Sequence, residues 1–92
     1  MSRGAPPKDI VVFYVEAESQ EALETAVAYV MRRLGGGYAC GAQACICEVE
    51  AEWGGGWLAV KTCTEHAAYA VARLLVTAYT WLGGKAIQVV RL

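Results

Sequence analysis

Asparagine is absent from this 92-residue chain, and histidine occurs only once, at His66. Depleted amides fit a thermophilic source. A basic excess is also lacking, since the net charge is −1 and only 18% of the residues are charged. This balance argues against independent tight binding to nucleic acid, which usually draws on a basic face. The N-terminal stretch MSRGAPPKD has no apolar signal-peptide core, so we expect a cytoplasmic protein.

Apolar residues, in contrast, are abundant. They make up 57% of the chain without counting glycine, against about 45–50% with glycine included in typical soluble domains. The longest apolar stretch, residues 67–84, contains Arg73, and a mid-membrane arginine costs about 2.5 kcal/mol or more, so we expect no membrane span. A single domain of residues 9–92, after a flexible lead-in of residues 1–8, has too little interior to hide this surplus. The composition therefore predicts an oligomer or a subunit of a complex.

Four cysteines are present, and their spacing limits the chemistry they can support. Zinc sites usually use paired cysteines with about two to four residues between them. The only close pair here, Cys45 and Cys47, has a single residue between its members, so we predict no metal and no cofactor. Thiols packed as small hydrophobic side chains are the default interpretation of Cys40, Cys45, Cys47 and Cys63. A disulfide such as Cys47–Cys63 across a hairpin is the alternative, and it suits the cytosol only in a hyperthermophile.

The first half of the chain predicts a strand followed by a helix. Residues Asp9–Ala17 are rich in β-branched and aromatic side chains, which favour a strand. Ser19 is placed to cap the helix, and Gly35-Gly36-Gly37 stops it. Apolar residues recur at helical spacing along one buried stripe, formed by Leu23, Ala26, Val27, Val30, Met31 and Leu34.

Two strands and a second helix follow. Cys45–Trp53 alternates between apolar and acidic residues, which predicts a half-buried antiparallel strand with Glu48, Glu50 and Glu52 in solvent. After a glycine turn, Trp57–Cys63 returns as a strand with Leu58, Val60 and Thr62 facing the core. Thr64 is placed to cap the second helix. The C-terminal end stays open: Gly83-Gly84 is a helix stop by local chemistry, yet the helical stripe continues through Ala86 and Val89.

No constellation of residues predicts catalysis. The glycine clusters lack the G-K-[ST] of a phosphate loop. His66 lies three residues after Cys63, so a Cys–His pair is conceivable, but a solvent-facing histidine is the default. The glutamates form a solvated face, with Lys61 on the neighbouring strand as partial counter-charge. Trp53 and Trp57 bracket the glycine turn, as a cross-strand aromatic pair or, alternatively, as a stacking platform for a base or a partner.

The second helix is apolar over most of its circumference. Between Ala67 and Leu82 its only charge is Arg73, which forms one narrow polar strip with His66, Thr77 and Thr80. A helix that covers only its own sheet needs an apolar stripe of about 100°. The remaining apolar side predicts a docking surface for another chain, formed by Val71, Leu74, Leu75, Ala78, Tyr79, Trp81 and Leu82.

The segment Cys45–Leu82, CICEVEAEWGGGWLAVKTCTEHAAYAVARLLVTAYTWL, resembles the CTAG/Pcc family, the small subunit of the KEOPS complex. That family shows an acidic alternating strand, a short turn, L-x-(V/I) in the returning strand, a polar cap and a helix of the form R-a-a-L-N-S-y-l-r-W. Arg73 to Trp81 follow this helix in spacing. Thr77 and Ala78 stand where the family usually has Asn-Ser, and Trp81 comes one place early.

The resemblance implies a non-catalytic scaffold subunit that forms a homodimer or pairs with a paralogue. It would dock through its second helix on the catalytic subunit of KEOPS, which transfers threonylcarbamoyl to adenosine in tRNA. Transfer RNA would be reached indirectly through the complex, with Arg73, Trp53 and Trp57 as candidate contacts to tRNA or to a partner. The resemblance also favours a helical tail kinked at Gly83-Gly84.

The resulting fold prediction is an α+β domain of the order β-α-β-β-α, with a three-stranded antiparallel sheet covered on one face by two helices. The alternative is a βαββαβ ferredoxin-like fold with a fourth strand at residues 86–91. Two other functions stay open. The first is an RNA-binding module of RRM or KH type, although the sequence lacks the basic face that such a module usually uses. The second is a ligand-sensing ferredoxin-like domain, which would need the fourth strand and a pocket at a dimer interface.

Overall fold

The computed structural model describes residues 9–34 and 49–92, which form two helices and four strands. In chain order these are β1 (Asp9–Ala17), α1 (Gln20–Arg33), β2 (Glu50–Gly54), β3 (Trp57–Thr62), α2 (Glu65–Trp81) and β4 (Ile87–Arg91). The predicted lead-in, the glycine helix stop at residues 35–37 and the first part of the predicted second strand, residues 45–48, lie outside the described residues.

The four strands form one antiparallel sheet in the order β2-β3-β1-β4. Together with the connectivity β-α-β-β-α-β, this order is the ferredoxin-like arrangement. The predicted α+β class is confirmed, and so is the alternative with a fourth strand near residues 86–91. The kinked helical tail, which would have left a three-stranded sheet, is wrong.

The second helix ends at the two glycines because the backbone enters the left-handed region there. Gly83 has a φ of +78°, a conformation that glycine adopts without steric cost. Its N–H donates to the Thr80 carbonyl at 3.0 Å, and the Gly84 N–H donates to the Tyr79 carbonyl at 3.0 Å. These are the paired bonds of a Schellman motif, which satisfies the last carbonyls of a helix and turns the chain away from its axis.

The buried side chain of Tyr79 ties this helix end to the beginning of α1 and the approach to β4. Its hydroxyl donates to the Lys85 carbonyl and accepts from the Ser19 N–H at 2.9 Å. Its ring packs on Gly84, where any Cβ would overlap the ring. Ser19 occupies the predicted N-cap position, but its hydroxyl makes no capping bond and instead accepts from the Lys85 N–H at 3.2 Å. These hydrogen bonds at Lys85 direct the following segment along β1, where it forms β4.

Both helices cover the same face of the sheet. The inward-facing residues of β1 and β3 are buried in one cluster with the helix stripes, and those strand residues are Val11, Phe13, Val15, Leu58 and Val60. The α2 helix contacts α1 as well as strands β1, β3 and β4. Thr64 caps α2 as predicted, since its hydroxyl accepts from the Ala67 N–H at 3.2 Å.

Candidate interaction surface

The face of the sheet that carries no helix is apolar at its centre. Side chains alternate along β1, so that Val11, Phe13 and Val15 enter the core while Ile10, Val12 and Tyr14 point to the other face. The register extends this pattern to the neighbouring strands. We define the open-face patch as the outward apolar residues of β1, β3 and β4 together with Leu92, which follows β4: Ile10, Val12, Tyr14, Trp57, Ala59, Val90 and Leu92.

Tyr14 occupies the middle of the open-face patch. It lies directly opposite Trp57 on β3 and opposite Val90 on β4. Its side chain is 45% exposed and that of Trp57 is 39% exposed. One row further along, Val12 lies opposite Ala59, and its carbonyl accepts from the Leu92 N–H at 2.9 Å. The two central strands therefore present adjacent aromatic side chains to solvent.

Charged side chains border the patch. Glu50 and Glu52 on the edge strand β2 and Glu16 on β1 are exposed on the same face. Lys61 lies opposite Glu50 on one side and Ile10 on the other, which confirms its predicted place beside the acidic stripe. Within the described residues this face thus carries three carboxylates and one ammonium group, and it is mildly acidic.

The two tryptophans do not form the predicted pair. Trp53 lies opposite Leu58 and half-buried on the inner face, whereas Trp57 lies on the outer face with its indole ring over Gly54. Position 53 pairs with 58 and position 54 with 57 across this turn. Because consecutive strand positions alternate in face, Trp53 and Trp57 end up on opposite sides of the sheet. Trp53 instead lines an open groove of about 940 Å³ beside the hairpin turn. The groove has carboxylates from Glu16, Glu18 and Glu24 in its walls.

The docking residues predicted on α2 fall into two groups. The chain's own core encloses Val71, Leu75, Ala78 and Tyr79, which are closed to a partner in this structure. Leu74 is half-buried, Leu82 is exposed, and Trp81 is 84% exposed at the end of the helix. The reason is that α1 and β4 cover parts of α2 for which the sequence predicts a partner chain. A role of the exposed group in partner binding stays a prediction.

Arg73 is exposed on α2 and lines a pocket shared with Arg91 of β4. The guanidinium of Arg91 forms an ion pair with Glu65 and donates to the Tyr69 hydroxyl at 3.5 Å. The hydrogen bond to Tyr69 is the largest influence and raises the pKa of Arg91 above its usual value. Desolvation lowers this pKa by less, and the charge of Glu65 raises it by a still smaller amount. Arg91 is a functional candidate that periodicity does not predict, because only the pairing of β4 with β1 brings it to α2.

Cys63, which follows β3, is disulfide-bonded. The default interpretation of free packed thiols is therefore wrong for Cys63. The other cysteines, and with them the predicted Cys47–Cys63 pairing, lie outside the described residues. A disulfide sulfur offers no thiolate nucleophile, so a catalytic pair with the exposed His66 has no chemical basis in this state.

Within residues 9–34 and 49–92, no helix has the length and apolar character to cross a membrane, and no three acidic, histidine or cysteine side chains converge as metal ligands. The comparisons with known proteins give no match: no family model, curated protein or solved structure is significantly similar to this chain.

The open-face patch does have a signal in the sequence. Residues 10–15, IVVFYV, form an unbroken apolar run. Such a run is typical of a strand that is covered on both faces, whereas a half-exposed strand alternates. β2, with Glu50 and Glu52 at its outward positions, alternates as a half-exposed strand does. The surplus of apolar residues is thus divided between α2 and the outer face of β1.

Proposed function

We propose that this chain is a non-catalytic cytoplasmic subunit that self-associates through the open-face patch. The observation that carries the proposal is the apolar outer face of the two central strands, with Val12, Tyr14 and Trp57 at its centre. A sheet face of this kind is stabilised when a second sheet packs on it at about 10 Å. The other face already has its cover, because both helices lie there.

The size of the face sets the expected affinity. Four strands at about 4.8 Å spacing, each with about six residues of about 3.3 Å rise, cover roughly 19 by 20 Å. The footprint is then about 400 Å² per copy, about half of the roughly 800 Å² per partner of a standard specific interface, which suits a weak, transient association. We therefore expect a reversible dimer with a dissociation constant on the order of 10–100 μM.

Charge favours one arrangement of the two copies. If the two-fold axis runs parallel to the strands, β4 of one copy lies over β2 of its partner, and β1 lies over β3. Glu52 is level with Val12 and Leu92, so it then faces the apolar Leu92, while Glu50, level with Ile10, lies past the end of β4. Both carboxylates therefore stay away from their own symmetry mates. An axis perpendicular to the strands would place the acidic β2 edges against each other, and like-charge contacts oppose association.

The specific complex that we propose from the sequence is KEOPS, in which this chain would support threonylcarbamoyl transfer to tRNA. The support is the resemblance of residues 45–82 together with the exposed Trp81, since exposed tryptophans are frequent anchors of interfaces. β4 weighs against it, because the resemblance implies a helical tail after residue 82 and the structure has a strand at Ile87–Arg91. Self-association is thus the better supported part of the proposal.

Single-stranded RNA is the other ligand that packs on aromatic side chains of an open sheet. Tyr14 and Trp57 have the required position on the two central strands. The rim argues against RNA, because Glu16, Glu50 and Glu52 outnumber Lys61 on this face and phosphate contacts need cations. A protein surface therefore fits the face better.

Tyr14→Glu tests self-association, with Tyr29→Glu as the matched control. Both tyrosines are 45% exposed, but Tyr29 lies on α1, away from the sheet. We expect sedimentation velocity at about 10–500 μM to show a dimer for the wild type and for Tyr29→Glu. Loss of an interface tyrosine costs about tenfold or more per copy, so Tyr14→Glu should weaken the symmetric dimer about hundredfold.

A wild type that stays monomeric at 500 μM, or two variants that dimerise equally, would contradict the proposal. Salt-dependent binding of a single-stranded RNA oligonucleotide that Tyr14→Glu abolishes would establish the nucleic-acid alternative. For KEOPS, the purified catalytic subunit should co-elute with the wild type and lose this chain on Trp81→Glu. Without co-elution the KEOPS assignment falls, while self-association is judged by its own measurement.

A further inference from the structure

A shallow pocket of about 330 Å³ lies between α2 and β4, on the helix-covered side of the sheet. Its walls combine apolar side chains with two guanidinium groups, and they are formed by Phe13, Tyr69, Ala72, Arg73, Val76, Val89 and Arg91. The open-face patch lies on the opposite side of the sheet. An occupant of this pocket is therefore independent of self-association.

Arg91 is held in place on one side of the pocket. Its guanidinium pairs with Glu65, and its Cζ lies 6.0 Å from the centre of the Tyr69 ring. The Tyr69 ring in turn packs edge-on against Phe13, with ring centres 5.5 Å apart and an interplanar angle of 71°. The ring and the carboxylate together limit the positions that Arg91 can take. A ligand would meet a guanidinium that is already oriented.

Arg73 supplies the second guanidinium and has no such partner. It lies four residues after Tyr69 on α2, hence on the same side of the helix, and no carboxylate pairs with it among the described residues. Of the two positive charges at the pocket, Glu65 neutralises one. The pocket thus keeps a net charge of about +1 beside apolar walls from Phe13, Val76 and Val89.

We propose that this pocket binds a small monocarboxylate with an apolar body. The carboxylate would lie between Arg73 and Arg91, since the guanidinium fork matches two carboxylate oxygens. The apolar body would pack against Val76 and Val89, which are half-buried in the pocket walls. A single unneutralised charge suits a monoanion, whereas a phosphate dianion would need further donors. The volume lies near the lower limit of about 300 Å³ for ligand sites, so the acid is small.

Sodium phenylacetate is a suitable probe, with 2-phenylethanol as the neutral analogue of similar shape. We expect saturable amide shifts in ¹⁵N-correlated spectra at Tyr69, Arg73, Val89 and Arg91, with a dissociation constant on the order of 1–10 mM. The neutral analogue should produce no saturable shift at these residues. Inorganic phosphate at equal ionic strength should bind more weakly than phenylacetate because it leaves the apolar walls uncovered.

Arg73→Gln removes the free guanidinium, and Arg33→Gln is its matched control because Arg33 is exposed at the end of α1. We expect Arg73→Gln to weaken phenylacetate binding roughly tenfold or more and Arg33→Gln to leave it unchanged. Val76→Glu, which places a carboxylate in the pocket, should abolish binding even though the fold is retained in the spectra. Equal shifts with the neutral analogue, no saturation below about 100 mM, or unchanged binding in Arg73→Gln would overturn the proposal.

Discussion

Replacing Tyr79 with phenylalanine removes one hydroxyl from the junction at which α2 ends, α1 begins and β4 is approached. The hydroxyl donates to the Lys85 carbonyl and accepts from the Ser19 N–H at 2.9 Å, while the side chain is only 1% exposed. The ring stays in Tyr79→Phe, so its packing on Gly84 is retained. The substitution thus isolates the two hydrogen bonds from the burial of the ring.

The expected loss follows from these contacts. Each hydrogen bond contributes about 1 kcal/mol net, and a buried N–H without a partner costs about 1–3 kcal/mol. The free energy of unfolding should therefore fall by about 2–3 kcal/mol in Tyr79→Phe. For a domain of this size that loss lowers the melting temperature by roughly 10–20 °C, at about 4–8 °C per kcal/mol.

Urea unfolding followed by far-ultraviolet circular dichroism measures the change, and Tyr29→Phe is the control because Tyr29 is 45% exposed on α1. We expect Tyr29→Phe to stay within about 0.5 kcal/mol of the wild type. Amide exchange should also accelerate at Glu18, whose N–H donates to the Ala86 carbonyl at 3.1 Å ahead of β4. A Tyr79→Phe change below about 0.5 kcal/mol would refute the assigned role of the junction.

Three further substitutions test local features of the fold. Gly83→Ala should cost about 1–2 kcal/mol in unfolding free energy, because residue 83 has a φ of +78°; no measurable loss would mean that α2 does not end there. Thr64→Ala should cost about 1 kcal/mol through the lost cap, against little change for the exposed Thr77→Ala. Glu65→Gln should cost less than about 1 kcal/mol because its pair with Arg91 is largely exposed, and a larger loss at high salt would contradict a surface ion pair.

The local elements could be predicted because each is encoded by neighbouring residues. The composition of Asp9–Ala17 predicts β1 with its observed bounds, and the alternation in Trp57–Thr62 predicts the buried side of β3 correctly. The Thr64 cap is also confirmed. Periodicity and capping depend on geometry within one helix or strand. These two signals can therefore be read from the residues of one element without the structure of the remaining chain.

Non-local contacts decided what periodicity left open. After Gly83-Gly84, an apolar spacing compatible with both a helix and a strand became β4, because Tyr79 holds the Lys85 carbonyl and β1 has an open edge for pairing. The pairing of β4 with β1 also brings Arg91 next to Tyr69 of α2, a contact that no spacing in the sequence predicts.

The sequence by itself determined the class of elements, their order and the existence of more apolar surface than one small domain can hide. Only the tertiary structure decided where that surplus lies, because the exposure of a helix or strand face depends on what packs against it. α2 is covered by α1 and by the sheet strands β1, β3 and β4, and these contacts bury Val71, Leu75 and Tyr79 within the chain. The outer face of β1 has no such cover among the described residues, and Tyr14 is left in solvent.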